Sequence, residues 1–191
     1  MSGSPQFAFL TATLPERASL LEECAVSVHV QTTPSWTHNV GVDKDKEGPA
    51  VIRNRLAKET DADWLIPLDD DDLIDPDFLE VLSKHLDDAD VIYPWCRVED
   101  FIPGLPPWTP NRLFRAESLL RFNFIPVTAL ISHDLWDAVG GMPEDVNNED
   151  WWMWKRCLAE GARFKCVPEV LFSYRRGYSG ASRNEWQSLA A

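Results

Sequence analysis

Leu65-Ile66-Pro67-Leu68 runs directly into Asp69-Asp70-Asp71-Asp72, and the rest of the chain is best understood from that junction. Asp63 to Leu68 reads as a buried strand, and the carboxylates stand at its tip. In an open α/β sheet, ligands bind beyond the carboxyl ends of the strands. Four adjacent carboxylates there repel one another and raise each other's pKa unless a cation sits among them. Mg²⁺ or Mn²⁺ commonly takes one or two protein carboxylates and fills its remaining positions with phosphate oxygens and water. The plainer alternative is an acidic loop that favours the start of the next helix. An EF-hand is excluded, because Ile74 stands where that loop needs Gly.

Strand and helix signals alternate on both sides of this junction. Gln6 to Ala12 reads as a buried strand, and Glu16 to Val30 carries Leu20, Leu21, Cys24, Ala25 and Val28 at helical spacing. Thr37 to Val42 is a second strand, ending at Asp43, and a helix with Pro49 in its first turn follows through Ile52, Leu56 and Ala57. Pro76 opens a third helix through Phe78, Leu79 and Leu82, and Val91 to Trp95 is a fourth strand. This βαβαβαβ order predicts an α/β fold with a mostly parallel, doubly wound central sheet flanked by helices. After Arg97 the rhythm changes. Phe101 to Pro110 holds four prolines and reads as an irregular loop. Val127 to Ser132 reads as a strand and Asp134 to Val139 as a short helix. Asn147 or Asn148 is a candidate cap for a helix from Glu149 to Glu160, with Gly161 ending it. Phe164 to Leu171 is extended, and the tail from Tyr174 is polar.

The chain has 191 residues, of which 45% are hydrophobic and 26% charged, as in a single soluble domain with a full core. Its net charge is −13, and the stretch from Asp61 to Asp90 holds 12 of the 31 acidic residues against one basic residue, Lys84. This balance disfavours a partner gripped by its nucleic-acid backbone, which needs clustered Lys and Arg. Cys24, Cys96, Cys157 and Cys166 show no metal or redox spacing and read as reduced thiols. No basic residue precedes Arg17 and no apolar run reaches membrane-span length, so the expected location is cytoplasmic.

Two further groups of residues can carry chemistry. Glu149 and Asp150 sit in the first turn of a predicted helix, where the dipole favours carboxylates whether or not they react. Trp151, Trp152 and Trp154 cannot share one helix face, so at least one is expected to line a pocket or a loop. Arg175 and Arg176, before the small-residue segment Gly177 to Ser182, have the chemistry to clamp a diphosphate or simply to stay solvated.

Taken in order, these signals resemble the GT-A fold glycosyltransferases, and more closely their family-2-like group of inverting enzymes. The resemblance runs from about Phe7 to Ser182. Thr13-Leu14-Pro15-Glu16-Arg17 looks like the family's nucleotide loop, Asp43 like the aspartate that meets the nucleotide base, and Arg53-Asn54 like its Arg-Asn pair. Leu68 to Asp72 followed by Asp75-Pro76-Asp77-Phe78-Leu79 is similar to the DxD segment, with aspartates for the ribose and the metal. Gly140-Gly141 and Glu149-Asp150-Trp151 resemble the Gly-Gly turn and the Glu-Asp motif that carries the catalytic base. Val167 to Leu171 with Tyr174-Arg175-Arg176 matches the closing segment.

The resemblance implies one Rossmann-like GT-A domain over 1–191, with a nucleotide-sugar half at about 1–98 and an acceptor half at about 99–191. It implies transfer from a nucleotide-diphosphate sugar, UDP- or dTDP-linked, to an acceptor hydroxyl of unspecified class, with Mn²⁺ or Mg²⁺. Asp150 would be the base and Glu149 its neighbour, orienting the acceptor or the helix start. Thr13, Pro15, Arg17, Asp43, Arg53, Asn54, Asp69, Asp70, Arg175 and Arg176 would bind the donor, and Asp71 and Asp72 the metal. Trp151 and Trp152 would face the acceptor. Gly177 and Tyr178 stand where many relatives carry a metal-binding histidine, and His133 is the nearest one before them. The metal is then left to Asp71, the diphosphate and water. Phosphohydrolase chemistry of the aspartyl-phosphate kind lacks an Asp after the first strand, and a nucleotidyltransferase lacks its Gly-rich loop there. A catalytically degenerate domain that binds sugar or protein is the other alternative.

Overall fold

The computed structural model describes residues 6–100 and 111–176. Strands β1 (Phe7–Thr13), β2 (Trp36–Val42), β3 (Trp64–Pro67), β4 (Leu73–Ile74), β5 (Val91–Asp100), β6 (Leu130–Ser132) and β7 (Phe164–Arg176) form one sheet in the order β2-β1-β3-β6-β5-β7-β4. β1 is parallel to both β2 and β3, and β5 is parallel to β7. β6 lies antiparallel between β3 and β5, and β4 lies antiparallel on β7. Five strands therefore point one way, and the expected mostly parallel sheet is present as a mixed one.

Side-chain alternation along the strands divides the apolar residues between two layers. On one face Ala8, Leu10, Leu65, Val91 and Ile131 pack with Ile52 and Leu56 of helix α2 (Pro49–Lys58) and with Met153, Trp154 and Cys157 of helix α6 (Glu149–Ala159). On the other face Phe7, Phe9, Ile66 and Ile92 pack with Cys24 and Val28 of helix α1 (Ala18–His29) and with Phe78, Leu79 and Leu82 of helix α3 (Phe78–Leu82). Helices α4 (Ala116–Leu119) and α5 (His133–Ala138) are short pieces in the second half. Gly41 lets β2 approach α2, since a Cβ there would collide with Ile52.

Several elements differ from the sequence expectation. The segment from Glu16 begins as a 3-10 turn, Pro15–Arg17, before α1 starts, and the segment from Pro76 becomes helical only at Phe78. Residue Asn148 does occupy the position before α6, but in the left-handed conformation (φ 57°) and without a side-chain capping bond. Gly161 (φ 85°) ends α6 as expected, with Ala162 N–H donating to the Cys157 carbonyl. β5 and β7 run past Trp95 and Leu171 because they pair with each other, through Val98 opposite Tyr174 and Glu99 opposite Arg175. β4 forms because Leu73 and Ile74 find Ser173 and Phe172 on β7. The proline-rich segment 101–110 and the small-residue segment 177–182 lie outside the described residues.

Candidate active site

The carboxyl ends of β1, β2 and β3 bring Thr13, Asp43 and the aspartate run to one edge of the sheet. Pro15 opens the 3-10 turn that carries Arg17 back over this edge. Arg17 donates to Asp70 from Nε (2.8 Å) and Nη2 (2.6 Å), and Nη2 also lies 3.0 Å from Asp71 Oδ2. Thr13 Oγ1 donates to Asp70 Oδ2 at 2.6 Å. The bond to Asp70 holds the Arg17 guanidinium well above its ordinary pKa. Asp70 is thus committed to protein donors, and its side chain is 6% exposed against 36% for Asp69. Of the four aspartates, Asp69 is the most exposed.

Asp43 is held in place by its own loop. Its N–H donates to the Thr13 carbonyl at 2.7 Å, and its two carboxylate oxygens accept from Glu47 N–H (2.9 Å) and Gly48 N–H (2.8 Å). Each oxygen keeps a second lone pair for a ligand.

Arg53 lies buried in α2 and joins the two acidic motifs. It donates to Asp69, and its other terminal nitrogen is 3.9 Å from Glu149 at the start of α6. Its neighbour Asn54 turns elsewhere. Asn54 accepts from Met142 N–H (2.9 Å) and donates to the Met142 carbonyl (2.8 Å) and to Glu144 (2.9 Å). The expected Arg-Asn pair therefore divides its work, with Arg53 at the site and Asn54 clamping the turn through Gly140 and Gly141. Gly141 has φ 72°, and a side chain there would collide with Asn54 Oδ1.

Asp71 and Asp72 are nearly sealed from solvent. Asp72 Oδ1 accepts from Arg175 N–H at 3.0 Å, while its Oδ2 is buried and has no hydrogen-bond partner among the described residues. Arg175 also donates through Nε to the Asp71 carbonyl and pairs with Glu23. Burial, reinforced by the Asp69 charge, pushes Asp71 up to about 6. Burial likewise raises Asp72 well above the usual carboxylate range, with Asp69 and Asp71 adding to it. These two groups have the chemistry of carboxylates that gain from a cation. Among the described residues no three His, Cys, Asp or Glu side chains gather around a common metal position. The pair has the donor chemistry for a divalent ion, whose other positions would then have to be filled by ligand oxygens and water. His133 contributes nothing here: Nδ1 bonds the Ala62 carbonyl, at the opposite end of β3.

Asp150 is the most perturbed carboxylate of the second motif. Its Oδ1 accepts from Trp151 N–H and its Oδ2 from Asn123 Nδ2, both at 2.7 Å. Burial and then the Glu149 charge push it up to about 7, the range in which a general base works best at neutral pH. Trp151 donates its indole N–H to the Leu119 carbonyl at 2.6 Å and packs on the core. Trp152 is 46% exposed. Lys155 Nζ lies 3.9 Å from the Trp151 ring centre and 3.4 Å from that of Trp152, so one face of each ring is already occupied by a cation. The side chain of Arg176 lies outside the described residues. Asn123 and Glu23 were not marked by any motif, and only the folded geometry brings them to the site.

The model of the family described as "Glycosyl transferase family 2" matches residues 39–150, from β2 to the first turn of α6. Among curated proteins, an uncharacterized glycosyltransferase, YwdF of Bacillus subtilis (strain 168), is 28% identical over 153 residues, covering 75% of this chain and 56% of that protein. The chain thus spans little more than half of this relative. Among solved structures, S. aureus TarS 1-349 in complex with UDP-GlcNAc superposes with a TM-score of 0.73 at 14% identity, over 94% of this chain and 61% of that one. The mannosyltransferase PcManGT from Pyrobaculum calidifontis, in complex with GDP-Man and Mn²⁺, gives 0.70 at 16% identity, over 94% and 59%. At such identities the superpositions establish the fold, the GT-A fold, and the family-model match over more than half the chain establishes the lineage: this chain belongs to glycosyl transferase family 2.

Proposed function

We propose that this domain is a metal-dependent, inverting glycosyltransferase that moves a sugar from a nucleoside-diphosphate sugar to an acceptor hydroxyl. The supporting observation is the Arg53 bridge, which sets the Asp69 carboxylate and the Glu149-Asp150 turn on either side of one guanidinium. A donor held at the first and an acceptor held at the second would then meet.

In this mechanism the donor lies across the carboxyl ends of β1 to β3, its base near Asp43 and its ribose on Asp69. Thr13 and Arg17 fix Asp70 as the floor of the site. Asp150 accepts the proton of the acceptor hydroxyl as that oxygen attacks the anomeric carbon from the face opposite the diphosphate. One C–O bond forms, the bond to the diphosphate oxygen breaks, and the proton ends on Asp150. Glu149 and Arg53 hold the turn that presents Asp150. Arg175, bonded to Asp71 and Asp72, supplies positive charge at this edge. Mn²⁺ or Mg²⁺ held by Asp71 and Asp72 would supply neutralising charge to the leaving diphosphate.

We assign a donor half to about 1–98 and an acceptor half to about 99–191, a reading supported by Asp43 and Asp69 lying in the first and Asp150 in the second. A uracil or thymine base is favoured by the Asp43 resemblance, and the neighbours' UDP-GlcNAc and GDP-Man support nucleotide sugars as a class. Four free, buried cysteines support a cytoplasmic setting, and among the described residues no helix is long and apolar enough to cross a membrane.

Release of nucleoside diphosphate from a donor panel, with water as the default acceptor, tests this before the acceptor is known. Asp150→Asn is expected to abolish release while retaining donor binding. Retained turnover would remove Asp150 from the role of base, and a folded wild-type protein that binds donors without any turnover would favour the degenerate binding domain.

A further inference from the structure

We propose that Asn123 is a positioning residue for the reaction, holding Asp150 in its ionised form and aiming one carboxylate lone pair at the acceptor; this rests on the assignment of Asp150 as base. Asn123 lies in the segment between α4 and β6, away from every motif. Its Nδ2 donates to Asp150 Oδ2 at 2.7 Å, a charge-assisted length. Its own Oδ1 is buried and has no hydrogen-bond partner among the described residues. A half-satisfied buried amide is destabilising, and an apolar side chain of the same shape would avoid that cost. An amide at this place is explained by its bond to the carboxylate.

The orientation of the bond matters as much as its presence. Trp151 N–H takes Oδ1 and Asn123 takes Oδ2, so each oxygen has one lone pair committed and one directed elsewhere. A proton on Oδ2 would compete with the Asn123 donor, which favours the charged form of Asp150. The other groups facing Asp150 are Glu149 on its own helix, Asp69 from the β3–β4 loop, Arg53 on α2 and Tyr174 on β7. Glu149 and Asp69 disfavour a further negative charge, and Arg53 favours it. Asn123 is a neutral side chain that donates directly to the carboxylate.

The test uses two isosteric variants, Asn123→Leu, which removes the donor, and Asn123→Asp, which turns it into a second acceptor. The carboxyl carbon of Asp150 is titrated by NMR in each, with Asp150→Asn assigning the signal, and the pH profile of donor turnover is recorded alongside. In Asn123→Leu the Asp150 titration is expected to move up by about one pH unit, with a fall in turnover at pH 7 of about five- to tenfold and unchanged donor affinity. Asn123→Asp should move it further in the same direction, and it serves alone if the Leu variant does not fold. An Asp150 titration that stays within a few tenths of a unit of wild type in a folded variant overturns the proposal. Undiminished turnover in Asp150→Asn would instead overturn the base assignment on which it rests.

Discussion

Arg53, buried in α2, donates to the carboxylate of Asp69 at the tip of β3. The same guanidinium faces Glu149, so α2 ties the Asp69 edge of the sheet to the start of α6. Arg53→Met leaves two carboxylates facing each other without their cation. The expected loss, read from urea unfolding, is about 1–3 kcal/mol, less than for a fully buried pair because Asp69 is partly open to water. Arg53→Lys should recover little, since a point charge cannot span both carboxylates as a planar fork does.

Turnover should depend on pH through Asp150. An acid whose folded pKa is about 7 is half ionised at neutrality, so kcat/KM for the donor reaction is expected to rise through pH 7 and level off above about pH 8. A profile that is flat between pH 5.5 and 8 would assign the limiting proton transfer to another group.

Asp71, Asp72 and Asp150 also link stability to pH. Their folded pKa values lie above the unfolded carboxylate value of about 3.9, so between roughly pH 4 and 7 the folded protein holds more protons than the unfolded chain. Their contribution to metal-free stability therefore falls as pH rises through that window. Asp72→Asn keeps an acceptor for Arg175 N–H and removes a buried charge. It is expected to raise the melting temperature in EDTA by a few degrees and to weaken Mn²⁺ binding at least tenfold. Lower stability in EDTA would mean that the Asp72 charge serves the fold rather than a cation.

Gly141 is held at φ 72° with its α-carbon against Asn54. Gly141→Ala is expected to cost about 1–3 kcal/mol, from left-handed backbone strain and the displaced Asn54 amide. Thermal unfolding measures the loss, and a melting temperature within a degree of wild type would show that the turn relaxes freely.

Local pattern made the first half legible. β1, α1, β2 and α2 stand close to where apolar spacing, Pro49 and the terminal Asp43 put them: β1, α1 and α2 bury apolar residues of their own, and β2, only partly buried, pairs along its length with β1. The junction from Leu68 to Asp72 stands where β3 ends, beside Thr13 and Asp43, as the strand pattern predicts. What escaped depends on distant pairing. Leu73 and Ile74 become a strand only through β7, and Tyr174 and Arg175 extend β7 only because β5 continues beside them. The bonds of Asn54 to Met142 and Glu144, 88 and 90 residues away, have no signal in the local sequence. Asn123 carries no periodic or motif signal, and its relation to Asp150 exists only once α4 and α6 have packed.

Calorimetric titration of UDP, dTDP, GDP and CDP, each with Mn²⁺ and again with EDTA, addresses the proposed chemistry most directly. Saturable binding of UDP or dTDP in Mn²⁺, weakened at least tenfold in EDTA, is the predicted result. Failure of a folded sample to bind any of the four with Mn²⁺ present would contradict donor binding at the Asp69–Asp72 edge.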